Sequence, residues 1–224
     1  MKKVLIAMVG GAALGAASLA QAGDLPGRPY GQSYDAPPSF TWTGFYAGAQ
    51  LGVGFGGFNG PGAAYFGSSP SGGLIGLTAG YNFQSGNLMV GAEGDYAWSH
   101  IADQATFMPG VSSTGVVQNI DTIRARFGYA AERLLAYGTG GYAGANIRGV
   151  LNNAPASAVA DQTFYANGFT LGVGVEYAIT PHITAKAEYL YVSLGTNSYF
   201  NSTPNYTSVG TNLNLLRAGV NYKF

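Results

Sequence analysis

The chain has no cysteine, only two histidines, and only ten acidic and ten basic side chains in 224 residues. Without cysteine there is neither a disulfide framework nor a thiolate metal site, as suits a chain that crosses an oxidising compartment unfolded. Outside the N-terminus no stretch of eighteen apolar residues runs free of charge, which excludes helical membrane spans. A formal net charge of zero gives no basic surface for nucleic acid. Glycine, by contrast, occurs 36 times, tyrosine 16 times and phenylalanine 12 times. Such a composition could belong to a disordered chain, but the regular alternation described next argues against that.

The N-terminus reads as a secretory signal over residues 1–22. Lys2 and Lys3 form its charged start, Val4 to Leu19 its apolar core, and Ala20-Gln21-Ala22 a small-x-small cleavage site. Removing it leaves eight basic and ten acidic residues, a net charge of −2. Residues 23–41, with Pro26, Pro29, Pro37 and Pro38, read as an extended periplasmic linker. Residues 42–224 remain for the fold.

Those residues repeat one pattern eight times: apolar and polar side chains alternate with a period of two. Leu216, Ala218, Val220, Tyr222 and Phe224 share a face against Arg217, Gly219, Asn221 and Lys223. Phe45, Ala47, Ala49, Leu51, Val53 and Phe55 oppose Tyr46, Gly48, Gln50, Gly52 and Gly54. Ile75, Leu77, Ala79, Tyr81 and Phe83 oppose Thr78, Asn82 and Gln84, and Leu88, Val90, Ala92, Tyr96 and Trp98 oppose Glu93 and Asp95. Ile123, Ala125, Phe127 and Tyr129 oppose Arg124 and Arg126. In the fifth segment Leu135, Tyr137, Ala143 and Ile147 are set against Asn146 and Arg148, although glycine and alanine blur the parity. The last two place Phe169, Leu171, Val173, Val175 and Tyr177 against Thr170, Gly172, Gly174 and Glu176, and Ile183, Ala185, Ala187, Tyr189 and Tyr191 against Lys186 and Glu188.

The connections alternate in length. Turns at Ser85-Gly86-Asn87, Ala131-Glu132-Arg133 and Thr180-Pro181-His182 are short. Gly56–Gly72, Ser99–Gly115, Gly149–Ala166 and Gly195–Gly210 read as long loops. Short turns on one side and long loops on the other are the pattern of a bacterial outer-membrane barrel, and segments of about ten to thirteen residues cross a bilayer at a tilt. The fold expected is therefore all-β: an eight-stranded antiparallel transmembrane β-barrel, an up-and-down meander with both termini on the periplasmic side. Aromatic girdles are expected from Trp42, Phe45, Tyr129, Tyr177, Tyr222 and Phe224 at the short-turn end, and from Phe55, Trp98 and Tyr191 at the other.

Four acids (Glu93, Asp95, Glu176, Glu188) and five bases (Arg124, Arg126, Lys186, Arg217, Lys223) fall on the inward faces. Eight strands enclose an interior that side chains can fill, so an ion-pair network is expected rather than an open channel. Inward Gly48, Gly52, Gly54, Gly172 and Gly174 leave room for the long charged side chains.

The segment Phe40-Thr41-Trp42-Thr43-Gly44-Phe45-Tyr46-Ala47-Gly48 resembles the opening of the small alphaproteobacterial outer-membrane β-barrel proteins, the Brucella and Bartonella surface-antigen barrels and their rhizobial relatives. Gly80-Tyr81-Asn82-Phe83, Arg124-Ala125-Arg126-Phe127-Gly128-Tyr129, Tyr137-Gly138-Thr139-Gly140-Gly141 and Arg217 to Phe224 resemble them as well. The resemblance implies an OmpA-like barrel, inserted by the outer-membrane assembly machinery that reads a last strand ending in aromatics, here Tyr222 and Phe224. It also implies contact with outer-membrane lipid and lipopolysaccharide, and ligands for the loops in some relatives; the loops here have a sequence of their own.

Other motifs carry less. Gly52-Val53-Gly54-Phe55-Gly56-Gly57 matches a dinucleotide fingerprint, but no helix pattern follows it. His182 lies in a turn. His100, near Ser99, Asp103, Ser112 and Ser113, could serve a lipid A-modifying enzyme only if nucleophile and base came within hydrogen-bond reach. Asn201 and Asn205 begin chance sequons. No catalytic residue, cofactor or metal is expected. The function expected is envelope integrity and surface interaction through four extracellular loops, with a narrow diffusion channel and a lipid-modifying enzyme as competing readings.

Overall fold

A computed structural model describes residues 40–59, 69–109, 111–153, 158–199 and 207–224. The expected signal segment, residues 23–39 of the linker, Asn201 and Asn205 lie outside the described residues. Eight strands form: β1 (Gly44–Asn59), β2 (Ser71–Ser85), β3 (Leu88–Met108), β4 (Val111–Ala131), β5 (Leu134–Asn153), β6 (Ala158–Ala178), β7 (Ile183–Tyr199) and β8 (Thr207–Lys223). Each pairs antiparallel with its sequence neighbours, and β1 pairs with β8 to close the ring. Closure matters because lipid offers no hydrogen bonds, so an open strand edge would leave a row of unsatisfied backbone groups.

The ladder fixes the geometry. Following Cα partners from Ala47 through Ala79, Gly94, Ile123, Tyr142, Phe169, Ser193 and Asn212 returns to β1 at Gly57, ten residues above the start. With a rise of ~3.3 Å per residue and ~4.8 Å between strands, that stagger tilts the strands by about 40°. Roughly ten residues then cross an apolar band about 25 Å tall.

The wall is inside out relative to a soluble protein. Leu51, Ile75, Val90, Ile123, Phe127, Leu171, Val173 and Val220 are exposed, while Gln50, Thr78, Glu93, Arg124, Arg126 and Glu176 are buried. Aromatic rings collect at both rims: Phe45, Phe83, Tyr129, Tyr177, Tyr222 and Phe224 near the short turns, and Phe55, Tyr96, Trp98, Tyr142 and Phe169 about 20 Å further along. The short turns are tight: Gly86 takes a left-handed φ of 60° and Glu132 one of 52°.

Two expectations are corrected. Two of the stretches read as long loops, Ser99–Gly115 and Gly149–Ala166, are largely strand. β3, β4, β5 and β6 run for 20 or 21 residues, about twice what the apolar band requires. Alternation in hydrophobicity ends where lipid ends, but backbone pairing does not need it, so the hairpins continue outward. The parity of β5 is also reversed. Leu135, Tyr137, Ala143 and Ile147 all point inward, each at most 4% exposed, whereas Leu134 and Tyr142 face out. Glycine at 138, 140, 141 and 144 leaves few side chains to mark the faces, and part of the interior is itself apolar. Arg148, set opposite the apolar residues of this segment, is exposed on the projecting hairpin. There it donates to Asp161 of β6, a hydrogen bond that holds the Asp161 carboxyl below the usual carboxylate range.

Depth should govern the tolerance of charge on the outer face. Val173→Arg, at mid-height, is expected to cost about 2–4 kcal/mol, and Ile183→Arg, near the rim, about 1 kcal/mol or less. Urea unfolding from lipid vesicles measures both; equal costs would contradict this embedding.

Candidate functional site: the barrel interior

The interior is built in three layers. At mid-depth the structure gathers Glu93, Asp95, Arg124, Arg126, Glu176, Lys186, Glu188 and Arg217, all buried. Arg124 Nη1 donates to Glu188 at 2.9 Å and its Nη2 to Asp95 at 2.7 Å and to Glu93. Arg217 Nη1 donates to Asp95 at 2.8 Å, and its Nη2 to Glu188. Arg126 Nη2 donates to Glu176 at 2.8 Å, and Lys186 Nζ to Glu93 at 3.0 Å. These are four acids and four bases, so the buried layer is neutral. Lys223, the fifth base read as inward, is not part of it. It sits at the end of β8, half-buried, with Nζ 5.5 Å from the Phe40 ring centroid.

Neutral side chains complete the bonding. Tyr46 accepts from Arg126 at 2.7 Å and donates to Glu93 at 2.8 Å; Thr122 donates to Asp95 at 2.7 Å. Glu176 accepts from Thr184 and, at 2.8 Å, from Asn221; Tyr137 donates to Glu188 at 3.2 Å. Each carboxylate thus has a cation and further donors, the condition under which buried ion pairs are tolerated. Seven of the eight strands contribute a side chain. The second strand contributes a glycine: a Cβ at Gly80 would strike the Tyr46 hydroxyl, and one at Gly174 the Tyr137 ring. Both are cross-strand partners of those tyrosines. The rings fold flat over glycine and hold Arg126 between them, its guanidinium carbon 3.9 Å from the Tyr137 centroid and 5.5 Å from that of Tyr46. Gln50, buried beside the layer, has an amide with no hydrogen-bond partner among the described residues.

Apolar layers close the interior above and below. Toward the end opposite the short turns Leu74, Ile101, Val117, Ile120, Ile147, Leu190, Val192, Leu194, Leu213 and Leu215 pack as one cluster. At the short-turn end Trp42, Met89, Ala130, Leu135, Tyr137 and Ala178 form a second, with Phe40 against it. Trp42 is corrected here. Expected in the lipid-facing girdle, it is 2% exposed and turned into the barrel mouth. Its backbone N–H donates to Gln84 Oε1 at 2.7 Å, and Gln84 N–H donates to Thr43 Oγ1 at 2.9 Å. The chain thus enters β1 from inside the rim, and Trp42 keeps the inward parity of Tyr46, four residues on.

The other candidates do not assemble. Ser99 Oγ donates to Val117 O at 2.8 Å, and Asp103 accepts from the N–H groups of Ser69 and Gln104. Ser113 and Ser112 pair opposite Ala105 and Thr106, five and six residues beyond an exposed His100. Gly52 to Gly57 all lie within β1, so no helix follows the glycine fingerprint. His182 stacks on Tyr222 at 5.7 Å. No group of three or more metal-ligating side chains occurs among the described residues. Trp42, Tyr46, Thr122, Thr184 and Asn221 share the inward parity of their strands and are legible on that ground; Tyr137 is not.

Removing one partner should cost more than removing two. Arg126→Met is expected to destabilise the barrel by about 3–5 kcal/mol, because Glu176 and Glu93 lose a buried cation. Arg126→Met with Glu176→Gln should recover at least half. The check is the urea midpoint in vesicles; additive losses would show that the two residues are uncoupled.

Comparison with known proteins agrees with this architecture. Residues 9–224 match the family model for the outer membrane protein beta-barrel domain. The 31 kDa outer-membrane immunogenic protein of Brucella melitensis is 35% identical over 245 aligned residues, covering 100% of both chains. The 25 kDa outer-membrane immunogenic protein of Brucella abortus is 31% identical, covering 85% of this chain and 83% of its own. The 22 kDa outer membrane protein of Rhizobium leguminosarum is 30% identical, covering 86% and 83%. An inverted, closed eight-stranded wall and this likeness along the whole chain give one conclusion: the protein belongs to the outer-membrane β-barrel family.

Proposed function

We propose that this protein is a sealed outer-membrane barrel that braces the envelope and holds its outer hairpins at the cell surface, rather than a channel or an enzyme. The observation that carries this reading is the three-layer interior. An ion would have to cross two packed apolar clusters, one of them containing Leu190, Leu213 and Ile101, each fully buried. Transfer of a charge through such a layer is far costlier than passage along a wet pore. Nor, among the described residues, does a hydrogen bond join a nucleophile to His100; Ser99 Oγ donates instead to Val117 O.

The short turns and both chain ends face the periplasm in this reading, and the projecting hairpins face outward, following the usual asymmetry of bacterial barrels. Tyr222 and Phe224, exposed on the last strand, are the side chains offered to the assembly machinery. The four outer connections are the surface available to lipopolysaccharide and to extracellular ligands. The names of the Brucella relatives, outer-membrane immunogenic proteins, accord with a barrel displayed in this way.

Purified protein in planar bilayers is expected to give no steady single-channel steps, and Arg126→Met none either; ohmic unitary currents from the wild type would overturn the sealed-barrel reading. An epitope tag inserted at residues 109–110, between β3 and β4, should bind antibody on intact cells. The same tag at residues 86–87 should bind only after permeabilisation, and the reverse result would invert the orientation.

A further inference from the structure

The outer half of the wall carries an acidic side chain on its lipid-facing side. Asp121 of β4 shares the parity of exposed Ile123 and Phe127 and alternates with buried Thr122 and Arg124. Its cross-strand neighbours are Tyr96 of β3 and Gly144 of β5. Tyr165 of β6 reaches across Gly144 and donates its hydroxyl to Asp121 Oδ2 at 2.8 Å, and the Tyr142 hydroxyl lies 3.2 Å from that of Tyr165. A Cβ at Gly144 would occupy the place of the Tyr165 hydroxyl, so this crossing requires glycine. On the other flank Tyr96 and Trp98 pack edge to face, with centroids 5.2 Å apart.

The electrostatics of this cluster are unbalanced. None of the ion pairs among the described residues includes Asp121. The base on the projecting hairpins, Arg148, is engaged by Asp161. Ionisable groups at membrane depth normally have a partner, and the faces of aromatic rings, like the carboxylate, attract positive charge. A phosphate would meet repulsion here and no basic side chain. An ammonium group would satisfy both the carboxylate and the rings. At the level of the outer aromatic girdle, on the outer surface of the wall, the groups within reach are lipid headgroups.

We propose that Asp121, with Tyr142, Tyr165, Tyr96 and Trp98, forms a binding site for the ammonium group of an outer-leaflet lipid headgroup. The site rests on the orientation proposed above and on the barrel's embedding in the membrane, not on whether its interior is sealed. The full chain, purified in non-ionic detergent, is equilibrated with equal amounts of phosphatidylethanolamine and phosphatidylglycerol of matched acyl chains, and native mass spectrometry reads the lipid retained. The wild type should favour phosphatidylethanolamine about tenfold, in keeping with a partly desolvated cation–aromatic contact. Asp121→Asn should abolish the preference and Tyr165→Phe should weaken it, both variants keeping the folded mobility of unboiled protein on a detergent gel. Should Asp121→Asn fail to fold, Tyr165→Phe, which removes one hydroxyl, decides. No preference in the wild type, or an unchanged preference in a folded variant, would overturn the site. Choline chloride at the lipid concentration should displace nothing; displacement would make this a site for a soluble cation and sink the lipid assignment. Stronger retention of dephosphorylated lipid A would replace ammonium recognition by sugar recognition and equally overturn the proposal.

Discussion

A backbone amide in hydrocarbon has no water to turn to, and an unpaired one costs several kcal/mol. A chain without long apolar helices can meet that demand in lipid only by closing a sheet on itself. Closure of β1 onto β8 sets the rest of this molecule. It turns the apolar face of each strand outward and forces whatever is polar into an enclosed space about as wide as two side chains. A stagger of ten residues around the ring then tilts the strands and fixes which inward side chains lie level with one another.

The confined interior answers with neutrality. Four carboxylates and four cations meet at one depth, each carboxylate shared among strands far apart in sequence: Asp95 bonds both Arg124 and Arg217, and Glu188 bonds the same pair. Such a layer loses a great deal to desolvation, and its Coulomb gain repays the loss only when the hydrogen bonds are nearly complete. Tyrosines and threonines supply the missing donors. Glycines at positions 80 and 174 let two rings lie against the wall instead of standing across the lumen. The apolar clusters at either end keep water from competing with the layer, which strengthens every contact within it.

Beyond the membrane the same strands have a different task. β3 to β6 continue for roughly ten residues past the apolar band, where the ladder's hydrogen bonds are joined by the Arg148–Asp161 ion pair. These four strands form a projection beyond the band. The Asp121 cluster lies where this projection begins, at the height at which a barrel meets lipid headgroups.

The architecture was largely legible in the chain itself, because lipid imposes a period of two on every segment that touches it. Eight segments, their order, seven of their eight parities and the short turns follow from that rule alone. It fell silent wherever lipid was not the neighbour. The fifth strand was misread because glycine marks no face and because Leu135 and Ile147 belong to apolar layers inside the barrel. Trp42 was misread because an indole at the rim was assigned to the girdle against the inward parity it shares with Tyr46, and Lys223 because parity says nothing of depth. Alternation decides which way a side chain points. Only closure and stagger decide which side chains meet, since contact across a lumen depends on strands up to 122 residues apart reaching the same height.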